Sequence, residues 1–92
     1  MSKTPLDPPV ADTAPAEPVL TGYDETHLIT YVRLLDAEAD GAPWEDVARI
    51  VLHIDPQQEA ARAKRAWESH LGRAHWLRDH GYQHLLRGGA PH

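Results

Sequence analysis

The chain contains no cysteine and no phenylalanine. Without cysteine there is no disulfide framework, no thiolate nucleophile and no Cys-based zinc site. Without phenylalanine, three tryptophans and three tyrosines must supply the large aromatic volume of any core. Long apolar runs are missing too, and nothing approaches the roughly 18 residues of a spanning helix. The start, Met1-Ser2-Lys3-Thr4-Pro5, lacks the apolar stretch of a signal peptide, so a cytoplasmic protein without membrane contact is expected. Positive charge is also scarce. Nine Lys and Arg face fourteen Asp and Glu, a net −5, which argues against non-specific attraction to nucleic acid or anionic lipid.

The charge that is present is split by position. From Tyr23 to Asp55 eight acids meet two bases, giving −6. From Pro56 to His92 three acids meet six bases, giving +3, and the first 22 residues carry −2. A DNA binder needs positive potential over its docking face to replace condensed counterions. Here one basic segment sits in an acidic body.

Residues 1–20 hold five of the eight prolines, with Ala, Asp and Thr between them. They offer little apolar area to offset the entropy of ordering, which predicts a disordered tail. A helical domain is expected over 21–88 and a frayed end over 89–92. The first helix should start near Tyr23–Thr26, with Asp24 as cap, and run to Ala39. Leu28, Val32, Leu35 and Ala39 form its apolar face, and Asp40-Gly41 supplies a left-handed stop. A second, short helix begins at Pro43, with Trp44, Val47, Ala48 and Val51 as its stripe. Asp55-Pro56-Gln57-Gln58 reads as a cap, a first-turn proline and a capping-box partner, so a third helix should start at Pro56 and run to about Asp79. Ala60, Ala63, Trp67, Leu71, Ala74 and Leu77 mark its inner face. Tyr82 to Leu86 can add a last turn. The fold class is therefore all-α: a small three- to four-helix domain, a helix-turn-helix variant with an extended turn and a disordered N-terminal tail. At 92 residues the chain is expected to carry no second domain.

Candidate chemistry is sparse. His70, His75, His80 and His84 cluster near the C-terminus. Five-residue spacings rotate successive ligands by about 140° on an ideal helix, which does not build a zinc site. Asp36 and Asp40 are like charges one turn apart, expected in solvent. No glycine-rich phosphate loop and no nucleophile–base pair is present, so neither an enzyme nor a cofactor is expected. Trp44 and Trp67 fall on apolar stripes and read as core. Trp76 lies one residue off its stripe and could anchor an interface. Arg62, Lys64, Arg65 and Arg73 are the candidate DNA contacts of a recognition helix, or else a solvated face whose cations offset the helix dipole.

The words Tyr23-Asp24-Glu25-Thr26-His27-Leu28, Tyr31 to Ala37, Asp40-Gly41, Trp44 to Ile50, Asp55-Pro56 and Ser69 to Trp76 through Gly81 to Leu86, taken in order, resemble one family. It is the small helix-turn-helix-variant domain of proteobacterial mobile elements, which includes the RovC-type DNA-binding domain. Within it, the chain is most similar to QseM-type antiactivators, stand-alone domains of integrative and conjugative elements. The resemblance implies binding to the N-terminal domain of an FseA-like activator in place of the activator's own copy of this domain. Excision and conjugative transfer functions would thereby be repressed, with a link to TraR-type quorum-sensing regulators. It implies a transcriptional antiactivator working by protein–protein contact, without DNA binding of its own. The acidic body fits that branch. The partner surface expected from exposed-looking aromatics is Tyr31, Trp76, Tyr82 and His84, on a monomer. The alternative is a DNA-binding regulator or excision accessory factor using Arg62, Lys64, Arg65 and Arg73.

Overall fold

The computed structural model describes residues 9–81. Four α-helices follow in order: α1 Gly22–Thr26, α2 Leu28–Ala39, α3 Trp44–Ile50 and α4 Ala60–Trp76. A π-helical turn, Leu77–Gly81, continues α4. Among the described residues there is no strand.

The first expected helix is two. Thr21, not Asp24, is the N-cap of α1. The Asp24 carboxylate closes a capping box by accepting from the Thr21 backbone N–H at 2.9 Å. His27 leaves helical geometry (φ −109°, ψ 22°), and α2 restarts after it. The His27 ring sits between the Tyr23 carbonyl and the Pro9 carbonyl, 2.8 Å from each. At the far end of α2 the sequence expectation holds. Gly41 takes φ +74°, the Gly41 N–H donates to Glu38 O, and the Ala42 N–H donates to Ala37 O. Those bonds satisfy carbonyls that the helix end leaves free.

The turn between α3 and α4 spans residues 51–59. His53 reverses the chain with φ +62°, and the Ile54 N–H reaches back to Ala48 O. Leu52, Ile54 and Pro56 are all buried there. Asp55 caps as predicted, accepting from the Gln57 N–H at 2.9 Å, but it caps an isolated turn. Glu59, at φ −133° and ψ 57°, interrupts the helix, so α4 begins at Ala60 rather than Pro56. Burying Pro56 with Leu52 and Ile54 outweighs the local start signal.

The core joins Tyr31 and Leu34 of α2, Val47 and Ala48 of α3, Leu52 and Ile54 of the turn, and Ala63, Ala66 and Ala74 of α4. The small α4 residues let the other helices approach closely. The inner faces differ in part from the predicted ones, although Ala63, Ala74 and Leu77 are buried as expected. On α2, Val32 is 55% exposed while Thr30, Tyr31 and Leu34 face inward. On α4, Ala60 is exposed, Trp67 and Leu71 are half-buried, and His70 and Arg73 take the inner positions.

Residues 9–20 are not a free tail. They lie along α4 as an extended strap, with the Ala14 side chain buried and Val10 and Leu20 against the core. The Ala14 N–H donates to Ser69 Oγ at 3.0 Å. Arg73 donates to Glu17 O at 2.6 Å and to Val19 O at 2.7 Å. Composition predicts disorder because the strap has few apolar groups. It is held instead through its backbone, which composition does not register.

Candidate partner and nucleic-acid surfaces

A buried polar hub ties the strap, α1, α2 and α4 together. Asp24 is fully buried and Arg73 is 5% exposed. Arg73 Nη2 lies 2.6 Å from Asp24 Oδ2 and its Nε 3.0 Å from Oδ1. The Tyr31 hydroxyl donates to the same Oδ1 at 2.8 Å. Burial alone pushes the Asp24 carboxyl up, but donors from Arg73, Thr21 and Tyr31 overcome it and bring the pKa down to about 2. Burial beside that carboxylate pushes the Tyr31 phenol up.

Next to the hub, His70 donates from Nδ1 to Ala66 O at 2.8 Å. Its Nε2 is left to accept from the Tyr23 hydroxyl at 2.5 Å, and that hydroxyl accepts from the Ala11 N–H at 2.9 Å. Burial pushes the His70 pKa below its usual value, which suits a neutral ring in this chain of bonds.

These positions correct two expectations. Tyr31, expected on the partner surface, is 3% exposed and serves Asp24. Arg73, expected among the DNA contacts, is the counterion of a carboxylate 49 residues away in sequence. A buried charge needs a partner, and each supplies the other's. Trp76 is half-buried, with the Arg73 guanidinium carbon 4.2 Å from its ring centroid. It lines a cleft of about 320 Å³ with Pro15 and Ala16 of the strap. Tyr82 and His84 lie outside the described residues.

The other predicted DNA contacts are partly engaged. Arg62 Nε pairs with Asp12 Oδ1 at 2.7 Å, and its Nη1 with Glu59 at 2.9 and 3.0 Å. Lys64 Nζ lies 4.9 Å from the Trp44 ring centroid and 6.0 Å from that of Trp67. Arg65 is exposed. The exposed stripe of α4 is Ala61, Arg65, Glu68 and Gly72, one cation against one anion. Beyond the helix, Arg78 pairs with Asp79 at 3.0 Å and Arg49 with Asp46 at 2.7 Å.

Sequence reasoning missed an apolar groove of about 520 Å³ between α2 and the end of α4, lined by Leu28, Val32, Leu35, Ala74 and Leu77, with Tyr31 at its floor and Arg78 at its rim. The signal is present in the sequence: the spacing of Leu28, Val32 and Leu35 that predicts an apolar face also marks this groove, with Leu28 and Leu35 packed against the core beside it. Among the described residues no cluster of His, Asp and Glu could hold a metal ion, and no helix is long and apolar enough to cross a membrane.

Comparison with known families gives a match over residues 6–87 to the RovC DNA-binding domain, described as a type VI secretion (T6SS) transcription-factor DNA-binding domain. That is most of the chain, so the protein belongs to this family. The match takes in the strap as well as the four helices. No curated protein matches the chain. The family places the chain with transcription regulation. By its description alone it fits the DNA-binding alternative better than the antiactivator reading.

Proposed function

We propose that this member of the RovC DNA-binding-domain family regulates transcription by protein contact, as an antiactivator that captures an FseA-like activator. The observation that carries the reading is the state of the cations on α4. Arg73 is buried against Asp24, Arg62 is shared by Asp12 and Glu59, and the exposed stripe is neutral. A recognition helix gains affinity by releasing counterions from phosphates, and a neutral stripe in a chain of net −5 has little to release them with. The groove between α2 and the end of α4 supplies apolar area that a partner can bury. Val32, 55% exposed, is the residue of that groove most open to a partner. Conjugative-element control and a quorum-sensing link follow only from the sequence resemblance and belong to the same proposal.

The test is co-purification with activators encoded beside the gene, run with a mobility shift on the same element's promoters. The reading expects capture of an activator and no specific shift at moderate salt. Tight, sequence-specific binding of promoter DNA by the wild-type protein alone would sink it.

A second reading, a DNA-contacting regulator, is favoured by the family description and by the helix–turn–helix order of α3 and α4. It uses Lys64, Arg65 and Arg62 at the start of α4. It expects Arg65→Ala to weaken DNA binding and to lower the salt dependence by about one ion.

A further inference from the structure

We infer that the strap, residues 9–20, is an intramolecular mask over α4, in which the Asp12 carboxylate occupies Arg62 as a phosphate would. The strap runs in the same direction as α4. Asp12 meets Arg62 near the helix start, Ala14 meets Ser69, and Glu17 and Val19 meet Arg73. Arg62, Ser69 and Arg73 are seven and four residues apart, which puts them on one face of the helix. That face is covered from its first turns to its last.

The two halves of the strap are held differently. The C-terminal half is fastened by the Arg73 guanidinium, which is itself locked in the buried pair with Asp24. In the N-terminal half the Pro9 carbonyl meets the buried His27 ring at 2.8 Å and Val10 packs on the core, so only the contacts of residues 11 and 12 lie at the surface. The Asp12 and Arg62 side chains are 55% and 40% exposed, and the Ala11 N–H bond to the Tyr23 hydroxyl is exposed. Exposed pairs are weak and salt-sensitive, so the Asp12–Arg62 pair opens first while the strap stays fastened on either side of it. A phosphate oxygen accepts from an arginine Nε–H just as the Asp12 carboxylate does. The mask is therefore competitive: a polyanion and Asp12 cannot hold the Arg62 Nε together. Opening that pair frees the Arg62 Nε beside Lys64 and Arg65, with Nη1 still held by Glu59, and removes one negative charge from this part of the helix. The inference rests on the DNA-contact surface of the second reading, and makes DNA binding a latent property of a chain that is closed by default.

The experiment compares Asp12→Asn with Glu25→Gln in the full chain, using a short mixed-sequence duplex DNA and fluorescence anisotropy over a salt series. Both substitutions remove one exposed negative charge, but only the first releases the Arg62 Nε, Glu59 keeping Nη1 in both. Asp12→Asn should bind at least about threefold more tightly than Glu25→Gln at low salt, with a slope steeper by about one ion. Adding Arg62→Ala to Asp12→Asn should return affinity to the Glu25→Gln level. The mask is overturned if the two single variants coincide, including the case where neither binds, or if the gain survives Arg62→Ala. Failure of the second reading has a different signature: Arg65→Ala leaves DNA binding unchanged in every background. Failure of the antiactivator reading is seen in the wild type alone.

Discussion

At the scale of single residues, Asp24 and Arg73 join the strap, α1, α2 and α4 through one buried ion pair. Removing one partner leaves the other charged and buried. Asp24→Asn should therefore cost about 3–5 kcal/mol in denaturant unfolding, a large part of a small domain's stability. The same group sets an acid limit. Its folded pKa of about 2 lies below the ordinary 3.8, so its contribution is complete above about pH 4 and is lost as pH falls toward 2. His70 acts earlier. Burial lowers its pKa from 6.5, so the unfolded chain takes up the proton first, and stability erodes as pH drops below about 6.5. Melting temperatures measured down a pH series should show both declines in that order. Thr30 offers the opposite effect. Its hydroxyl is buried without a hydrogen-bond partner, and Thr30→Val keeps the shape while removing the unpaired group. A gain of about 1 kcal/mol in unfolding free energy is expected.

At the scale of elements, the short helix α1 is set by its cap, and α2 by which way it faces. Thr21 accepts from the Asp24 N–H while Asp24 accepts from Thr21. Thr21→Ala should cost about 1 kcal/mol, seen as a lower melting temperature. It should also loosen the placement of Asp24 against Arg73. On α2, Val32 points into the open groove. Val32→Asp should change stability by no more than about 0.5 kcal/mol and yet reduce activator capture at least about tenfold, since a charge placed in an apolar contact must be desolvated. Unchanged capture would move the partner face away from this groove. A Trp76 substitution cannot separate the two effects, because this side chain packs on Arg73 and lines the strap cleft.

For the whole molecule, the distribution of pairing decides function more than the count of charges does. The sequence has six bases after Pro56, and read as a string they make a basic helix. Folded, Arg73 lies inside, Arg62 is shared by acids from the strap and from Glu59, and Arg78 pairs with Asp79. The acidic stretch of α2 and α3 is joined by a strap that brings Asp12 to Arg62, three residues from the exposed Arg65. Promoter shift and activator capture, measured on one preparation, are the pair of observables this arrangement bears on.

The sequence by itself determined the all-helical class, the stop at Gly41, the helix–turn–helix order and the surplus of acid over base. Each of these is a local or summed property: a turn needing a left-handed residue, a period in apolar spacing, a charge count. Tertiary structure alone decided which helix faces are buried, that Tyr31 and Arg73 point inward, and that a proline-rich stretch is a strap. Those depend on partners such as Asp24, 49 residues from Arg73, and on backbone carbonyls that accept hydrogen bonds whatever side chain they carry. Periodicity sorts residues by hydrophobicity. It cannot register that an arginine is buried where the chain brings it to a carboxylate that compensates its lost hydration.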